Sequence, residues 1–184
     1  MRRADRREQI LDAATRAFAR TGYTATGLDD LAEEAGITRV ILYRHFDAKQ
    51  DMYRAVLDRA LTRLAATVGT DSFDSDTIPA LLRAAAGDPD GFRLVFRHAV
   101  REPEFRDLTD TLTATSTEIA HRHLARMIDD ERWATWAARV IPSMTIEAVI
   151  AWLDTGQPDG EGAADRIRLA VHGVIEAAQG RSTG

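Results

Sequence analysis

The chain has 184 residues, 45% hydrophobic and 29% charged, which suits one medium domain or a small domain fused to a larger one. The absence of cysteine excludes a disulfide framework and a thiolate metal site. Residues 1–60 hold 11 Arg and Lys against 10 Asp and Glu, and the remainder 13 against 19, so the net charge of −5 lies outside the N-terminal third and leaves that third compatible with a polyanionic partner. The start, Met1-Arg2-Arg3-Ala4-Asp5-Arg6-Arg7, lacks an apolar stretch of signal-peptide length. No run approaches the roughly 18 apolar residues of a membrane span, so a cytoplasmic protein without membrane contact is expected.

Every segment reads as helix and none as strand. Ile10, Leu11, Ala14, Ala17 and Phe18 share one face of a first helix that Gly22 should stop. Thr26-Gly27-Leu28-Asp29 fits a capping box, which starts a short second helix with Leu31, Ala32 and Ala35 before Gly36. A third helix is expected from Thr38 to Phe46. Asp47-Ala48-Lys49-Gln50 opens a long fourth through Val68, with Met52, Val56, Leu57, Leu61 and Leu64 inward. Loops at Gly69–Ser75, Gly87–Asp90 and Glu102-Pro103 separate helices near 76–86 and 90–101 from a longer one carrying Phe105, Leu108, Leu112, Thr115 and Ile119. The segment 131–154 is apolar over a wide arc, with a kink expected at Pro142. A last helix covers about 163–179.

The second and third helices are joined by a tight connection centred on Ala35-Gly36-Ile37, the arrangement of a helix-turn-helix. Leu31, Ala32, Ile37 and Leu42 clamp the pair, and Ile10, Ala14 and Phe18 of the first helix complete the small core. The outer face of the third helix then offers Thr38, Arg39, Val40, Tyr43, Arg44 and His45. A helix fits the DNA major groove, where arginine binds guanine through two hydrogen bonds and aliphatic groups touch the thymine methyl.

Gly22-Tyr23-Thr24-Ala25-Thr26, then Leu31-Ala32-Glu33-Glu34-Ala35-Gly36-Ile37, then Leu42-Tyr43-Arg44-His45-Phe46 and Lys49 resemble the N-terminal domain of the tetracycline-repressor (TetR) family. The resemblance covers about residues 8–57; beyond it only the all-helical layout matches. It implies an all-α fold with a three-helix DNA-binding domain at 1–46 and a larger helical ligand-binding and dimerisation domain at 47–184, connected through helix 47–68. It implies further that Arg39 and Val40, with Arg44, contact bases, while Tyr43 and His45 meet phosphates. Lys49, the only lysine, would hold a phosphate at the start of helix four, Thr26 would grip another at the cap of helix two, and Arg2, Arg3, Arg6 and Arg7 would form a basic arm. Two positions depart from the family pattern: Val40 stands where a small residue is frequent, and Ile41 where threonine is common.

The expected function is a DNA-binding regulator, a dimeric repressor released from a palindromic operator by a small apolar ligand. An activator or co-ligand-dependent regulator is the alternative. Phe92, Phe96, Phe105, Met127, Trp133, Trp136 and Met144 would line the effector pocket, with His98 and His121 as polar anchors. Ile141, Ala148 and Trp152 on one helix, with Ile167, Ala170, Val171, Val174 and Ala178 on the other, would form a four-helix dimer interface. No cofactor and no metal site is expected. Glu118 and His121 have the three-residue spacing of a carboxylate-bridged metal helix, but a second such pair is missing, which makes a metal-dependent enzyme the remote alternative. No nucleophile-and-base constellation or phosphate-cradling glycine loop is present, so catalysis is not expected.

Overall fold

The computed structural model describes residues 3–71 and 73–180, the side chain of Arg3 apart. The expected contribution of Arg2 and Arg3 to a basic arm therefore lies outside the described residues. Among those described there are nine α-helices and no strand: α1 (Arg3–Ala25), α2 (Leu28–Glu34), α3 (Arg39–Tyr43), α4 (Lys49–Val68), α5 (Thr77–Gly87), α6 (Pro89–Arg93), α7 (Arg106–Leu124), α8 (Glu131–Asp154) and α9 (Gly160–Ala178). Between α6 and α7 the chain passes through a π-helical turn (Leu94–His98) and two 3₁₀ turns (Ala99–Arg101 and Pro103–Phe105). The expected single helix at 90–101 is thus three short pieces.

The chain groups into two compact units, one running to Arg63 and including Asp88–Thr109, the other comprising Leu64–Gly87 and the residues from Asp110 onward. This grouping by packing does not share a boundary with the expected division at residues 46 and 47, which is one by role. Segment 88–109 belongs to the same unit as the helix-turn-helix and packs against α1, and α4 contributes residues to both units.

In the first unit, Ile10, Leu11, Ala13, Ala14, Ala17 and Phe18 bury one face of α1 against α2, α6 and the π turn. Gly22 breaks the helix at φ +80°, where a side chain would be strained. Polar ties reinforce this apolar face. Arg59 of α4, only 13% exposed, reaches Asp12 at 2.8 Å, Glu8 at 3.2 Å and the Thr15 hydroxyl at 2.8 Å. Arg16 and Arg20 of α1 clasp Glu34 of α2 at 2.8 and 2.6 Å, and their hydrogen bonds hold its carboxyl below the usual carboxylate range. Phe18, Tyr23, Tyr53 and Phe105 form a continuous aromatic cluster with centroids 4.5–5.0 Å apart along the chain Phe18–Tyr53–Phe105–Tyr23, geometry that aromatic quadrupoles favour.

In the second unit, α8 and α9 pack together and against α5. Their core is built largely from small side chains, Ala120, Ala134, Ala137, Ala138 and Ala178, with Leu124, Ile128 and Ile141. Small residues bring helix axes close, and the interior fills without long side chains. Asp130 caps α8 by accepting from the Arg132 N–H at 2.9 Å, and Asp159 caps α9 by accepting from Gly162 at 3.0 Å. Pro142 lies inside α8, which continues through it as one helix. Thr115 is exposed, and Thr109, Ala120 and Leu124 are the buried residues of α7. By length and composition alone, α8 is apolar enough to cross a membrane, contrary to the expectation that no segment would be; its apolar arc is in part the core face of a packed helix.

Tyr53 is fully buried, and its hydroxyl has no hydrogen-bond partner among the described residues. Burial pushes the phenol far above its ordinary range, so it stays protonated and unpaired. Tyr53→Phe removes the unpaired oxygen and keeps the ring. Urea unfolding is expected to show equal or greater stability, by up to about 1 kcal/mol; a loss of comparable size would reveal a bond made by that hydroxyl.

Candidate nucleic-acid interface

The turn between α2 and α3 explains how two short helices are locked at a fixed angle. Ala35 ends α2, and Gly36 follows at φ +62°. The Ile37 N–H donates to the Ala32 carbonyl at 2.9 Å, and the Gly36 N–H to the Glu33 carbonyl at 3.0 Å. This pair of reversed bonds is a Schellman closure, and it places Ile37 against the last turn of α2. Thr38 then begins α3 with extended backbone, and its carbonyl accepts from Ile41 and Leu42 at 2.9 and 3.2 Å.

Within α3 the inward and outward faces are sharply divided. Leu42 is 1% exposed, whereas Val40 and Tyr43 are 62% and 52% exposed, with Arg39 and Arg44 on the same outer surface. The helix ends at Tyr43, three residues earlier than expected, because the Leu42 carbonyl accepts from both His45 and Phe46 and turns the chain toward α4. Phe46 is buried, and the Arg7 guanidinium lies 4.9 Å over its ring. Thr38 is exposed, and its hydroxyl caps nothing within α3; His45 is half-buried at the end of the turn. Arg39 is gripped by Asp29 of α2 through Nε and Nη2, and this pairing raises the already high pKa of the guanidinium.

Two expected phosphate ligands are used inside the fold. Thr26 is 1% exposed: its hydroxyl donates to the Gly22 carbonyl at 2.6 Å and lies 2.7 Å from the Thr21 hydroxyl. The cap of α2 is Gly27, whose N–H donates to the Asp30 carboxylate at 2.7 Å, so the capping pair sits one residue later than the sequence pattern suggested. Lys49 is half-buried, with Nζ donating to the carbonyls of Tyr23 at 2.8 Å and Thr26 at 3.1 Å and lying 4.3 Å over the Tyr23 ring. It staples the α1–α2 connection to the start of α4. The basic N-terminal segment is helical from Arg3, so Arg6 and Arg7 belong to α1 and not to an extended arm.

The nine expected pocket residues are not gathered into one cavity. Phe92 and Phe105 are buried in the first unit, the latter within the aromatic cluster, and Phe96 packs on Phe92 with tilted rings 4.7 Å apart. His98 is half-buried in the π turn near Gly22; burial, then the charges of Arg101 and Arg97, push its pKa down. In the second unit, Met127, Trp133 and Trp136 are 45%, 49% and 39% exposed, and Met144 is half-buried. Only His121 lines the open groove of about 600 Å³ on α7 and α8, beside Asp110, Thr113, Thr117, Thr135 and Arg139. Its Nε2 is 3.0 Å from Glu131, and Glu118 lies 3.7 Å from Arg122. Among the described residues no three His, Cys, Asp or Glu side chains are gathered for a metal.

Of the expected interface residues, Ile141, Ile167 and Ala178 are buried in the core of their own chain, because they occupy the faces that α8 and α9 turn inward. Ala148, Trp152, Val171 and Val174 are half-buried and Ala170 is exposed. Sequence reading overlooked Leu169, which is 75% exposed on α9. It also overlooked Asp29, since nothing in the local pattern marks a carboxylate ten positions from its arginine.

Lys49→Met keeps the aliphatic stem and deletes two charge-assisted hydrogen bonds. A loss of about 2 kcal/mol in urea unfolding is expected, most of it independent of DNA. A variant as stable as its parent would return Lys49 to the surface role.

The model of bacterial regulatory proteins of the tetR family matches residues 10–56, which span the buried face of α1, the helix-turn-helix and the first turns of α4. The HTH-type transcriptional activator FasR of Mycolicibacterium smegmatis is 29% identical over 97% of this chain and 83% of its own length. The HTH-type transcriptional repressor AcnR of Corynebacterium efficiens is 27% identical over 91% of this chain and 92% of its own. In fold, a TetR-like transcriptional regulator from Rhodococcus superposes with a TM-score of 0.77 at 18% identity, over 94% of this chain and 96% of that one. Over residues 10–56 the chain carries the DNA-binding domain of the tetR family's regulatory proteins, and it is a DNA-binding transcriptional regulator.

Proposed function

We propose that the chain acts as a homodimeric repressor in the cytoplasm, holding a pseudo-palindromic operator through two copies of α3 and letting go when a small ligand binds. Catalysis and a cofactor have no part in this reading. The observation that carries it is the division of α3, with Leu42 buried and Arg39, Val40, Tyr43 and Arg44 exposed on one rigid surface. Arginine is suited to guanine and the valine methyls to thymine, so the helix carries both polar and apolar base readers.

Five residues of helix cover only a few base pairs, so useful specificity calls for two copies with half-site centres about 34–36 Å apart or a multiple of that. Leu169, Ala170, Gly173 and Ala177 on the outer face of α9 support a subunit contact, because an exposed leucine amid small residues invites close helix packing. The groove on α7 and α8 supports a ligand of a few hundred Å³. Most of its surface is carbon, and Asp110, Glu118, His121 and Arg139 add charged groups, which suits a largely apolar ligand with a polar end. Since α4 contributes to both units, a ligand-driven shift in it would alter the spacing of the two α3 helices. Coupling of about 1–3 kcal/mol changes operator affinity roughly 5- to 150-fold.

Activation on the same fold is the second reading, favoured by the name of the relative that aligns with 97% of the chain. Transcription in vitro from the bound promoter separates the two by sign. For readout, Arg39→Ala is expected to relax base preference at one position of each half-site by about 1–3 kcal/mol, measured with single-base duplex variants; an equal loss across all sequences would place Arg39 on phosphates. For assembly, Leu169→Arg is expected to give a monomer in light scattering and to weaken operator binding by about 100-fold or more, through lost avidity. A variant that stayed dimeric would remove this face of α9 from the interface.

A further inference from the structure

We propose that Asp29 is a positioning residue for base readout: its carboxylate holds one edge of the Arg39 guanidinium and so presents the adjoining end-on edge to a guanine. The inference rests on the reading of α3 as the base-contacting helix and adds a residue from α2 to it. Asp29 lies in the first turn of α2 and Arg39 in the first turn of α3, and the Gly36 turn brings these two positions together. The contact is side-on, Oδ1 with Nε and Oδ2 with Nη2. A guanidinium has two forked edges. The pair with Asp29 uses the one formed by Nε and the inner N–H of Nη2, which leaves Nη1 and the outer N–H of Nη2, the end-on fork that matches guanine O6 and N7.

An exposed pair of this kind does little for folding, since water and salt screen it. Both side chains are well exposed, at 77% for Asp29 and 52% for Arg39, and Asp29 is not needed as a cap because Asp30 holds the Gly27 N–H. What the carboxylate changes is the freedom of a long side chain. An arginine fixed before DNA arrives loses less rotational freedom on forming two directed bonds. The same carboxylate faces a polyanion, so it opposes binding that depends on phosphates alone. Asp29 thus acts in two directions at once, favouring the matched base and penalising unmatched DNA, and this combination separates positioning from a simple structural role.

The test uses the full-length protein and the duplex it enriches from a random pool, the same duplex with the guanine facing Arg39 changed to adenine, and an unrelated duplex. Asp29→Ala and Asp29→Asn should bind the unrelated duplex as well as the parent or better. Their discrimination between guanine and adenine should fall about tenfold, with unchanged thermal melting. In an Arg39→Ala background, Asp29→Ala should cause no further loss of discrimination, because the two side chains act as one unit. Discrimination kept within twofold by both Asp29 variants, or lost equally in the Arg39→Ala background, overturns the proposal. If Arg39→Ala itself leaves discrimination intact, the reading of α3 fails and this inference with it; if Arg39→Ala abolishes discrimination and the Asp29 variants do not, only this inference fails.

Discussion

A helix of five residues has no stability of its own: the cost of nucleating a turn exceeds what so few backbone bonds return. Everything around α3 answers that constraint. Leu42 anchors its inner face, the Gly36 turn fixes its start, and the double acceptance at the Leu42 carbonyl ends it. One step further out, Lys49 ties the α1–α2 connection to α4, and Arg59 ties α4 to α1. The short helix is therefore held by its neighbours, and a change in any of them reaches the surface it presents.

The charges of the first unit follow the same logic. Arg16, Arg20, Arg59 and Lys49 are engaged by Glu34, Asp12, Glu8 and backbone carbonyls, so much of the positive charge near the helix-turn-helix serves the fold. The balance of +1 over residues 1–60 is consistent with that use. Affinity for DNA in such a protein depends on where a few cations stand, more than on how many there are.

Much of this was legible in the residues. The period of Ile10, Ala14 and Phe18, the glycines at 22 and 36, and the spacing from Leu31 to Phe46 led to the helix-turn-helix, because each reports a local physical requirement of backbone or burial. The outward placement of Arg39, Val40, Tyr43 and Arg44 followed from the same period. Partnership was harder to read. Thr26 and Lys49 have the residue types of phosphate ligands, and only their three-dimensional neighbours reveal that carbonyls at Gly22, Tyr23 and Thr26 occupy them. Tyr53 was hidden because a tyrosine on a helix gives no sign whether its hydroxyl is wet or buried. In the second unit, apolar arcs on α8 and α9 were visible, yet composition does not say which side faces inward. Ile141, Ile167 and Ala178 proved to be core, and Leu169 stands outside.

The central claim is that the outer face of α3 reads base edges as part of a symmetric pair. Selection of bound duplexes from a random pool, repeated at several salt concentrations, tests it most directly. The account predicts two inverted guanine-containing half-sites at a fixed spacing near one helical turn or its multiple, with sequence preference surviving as overall affinity falls steeply with salt. A pool that showed no enrichment at any ionic strength, while the protein remained folded, would contradict it.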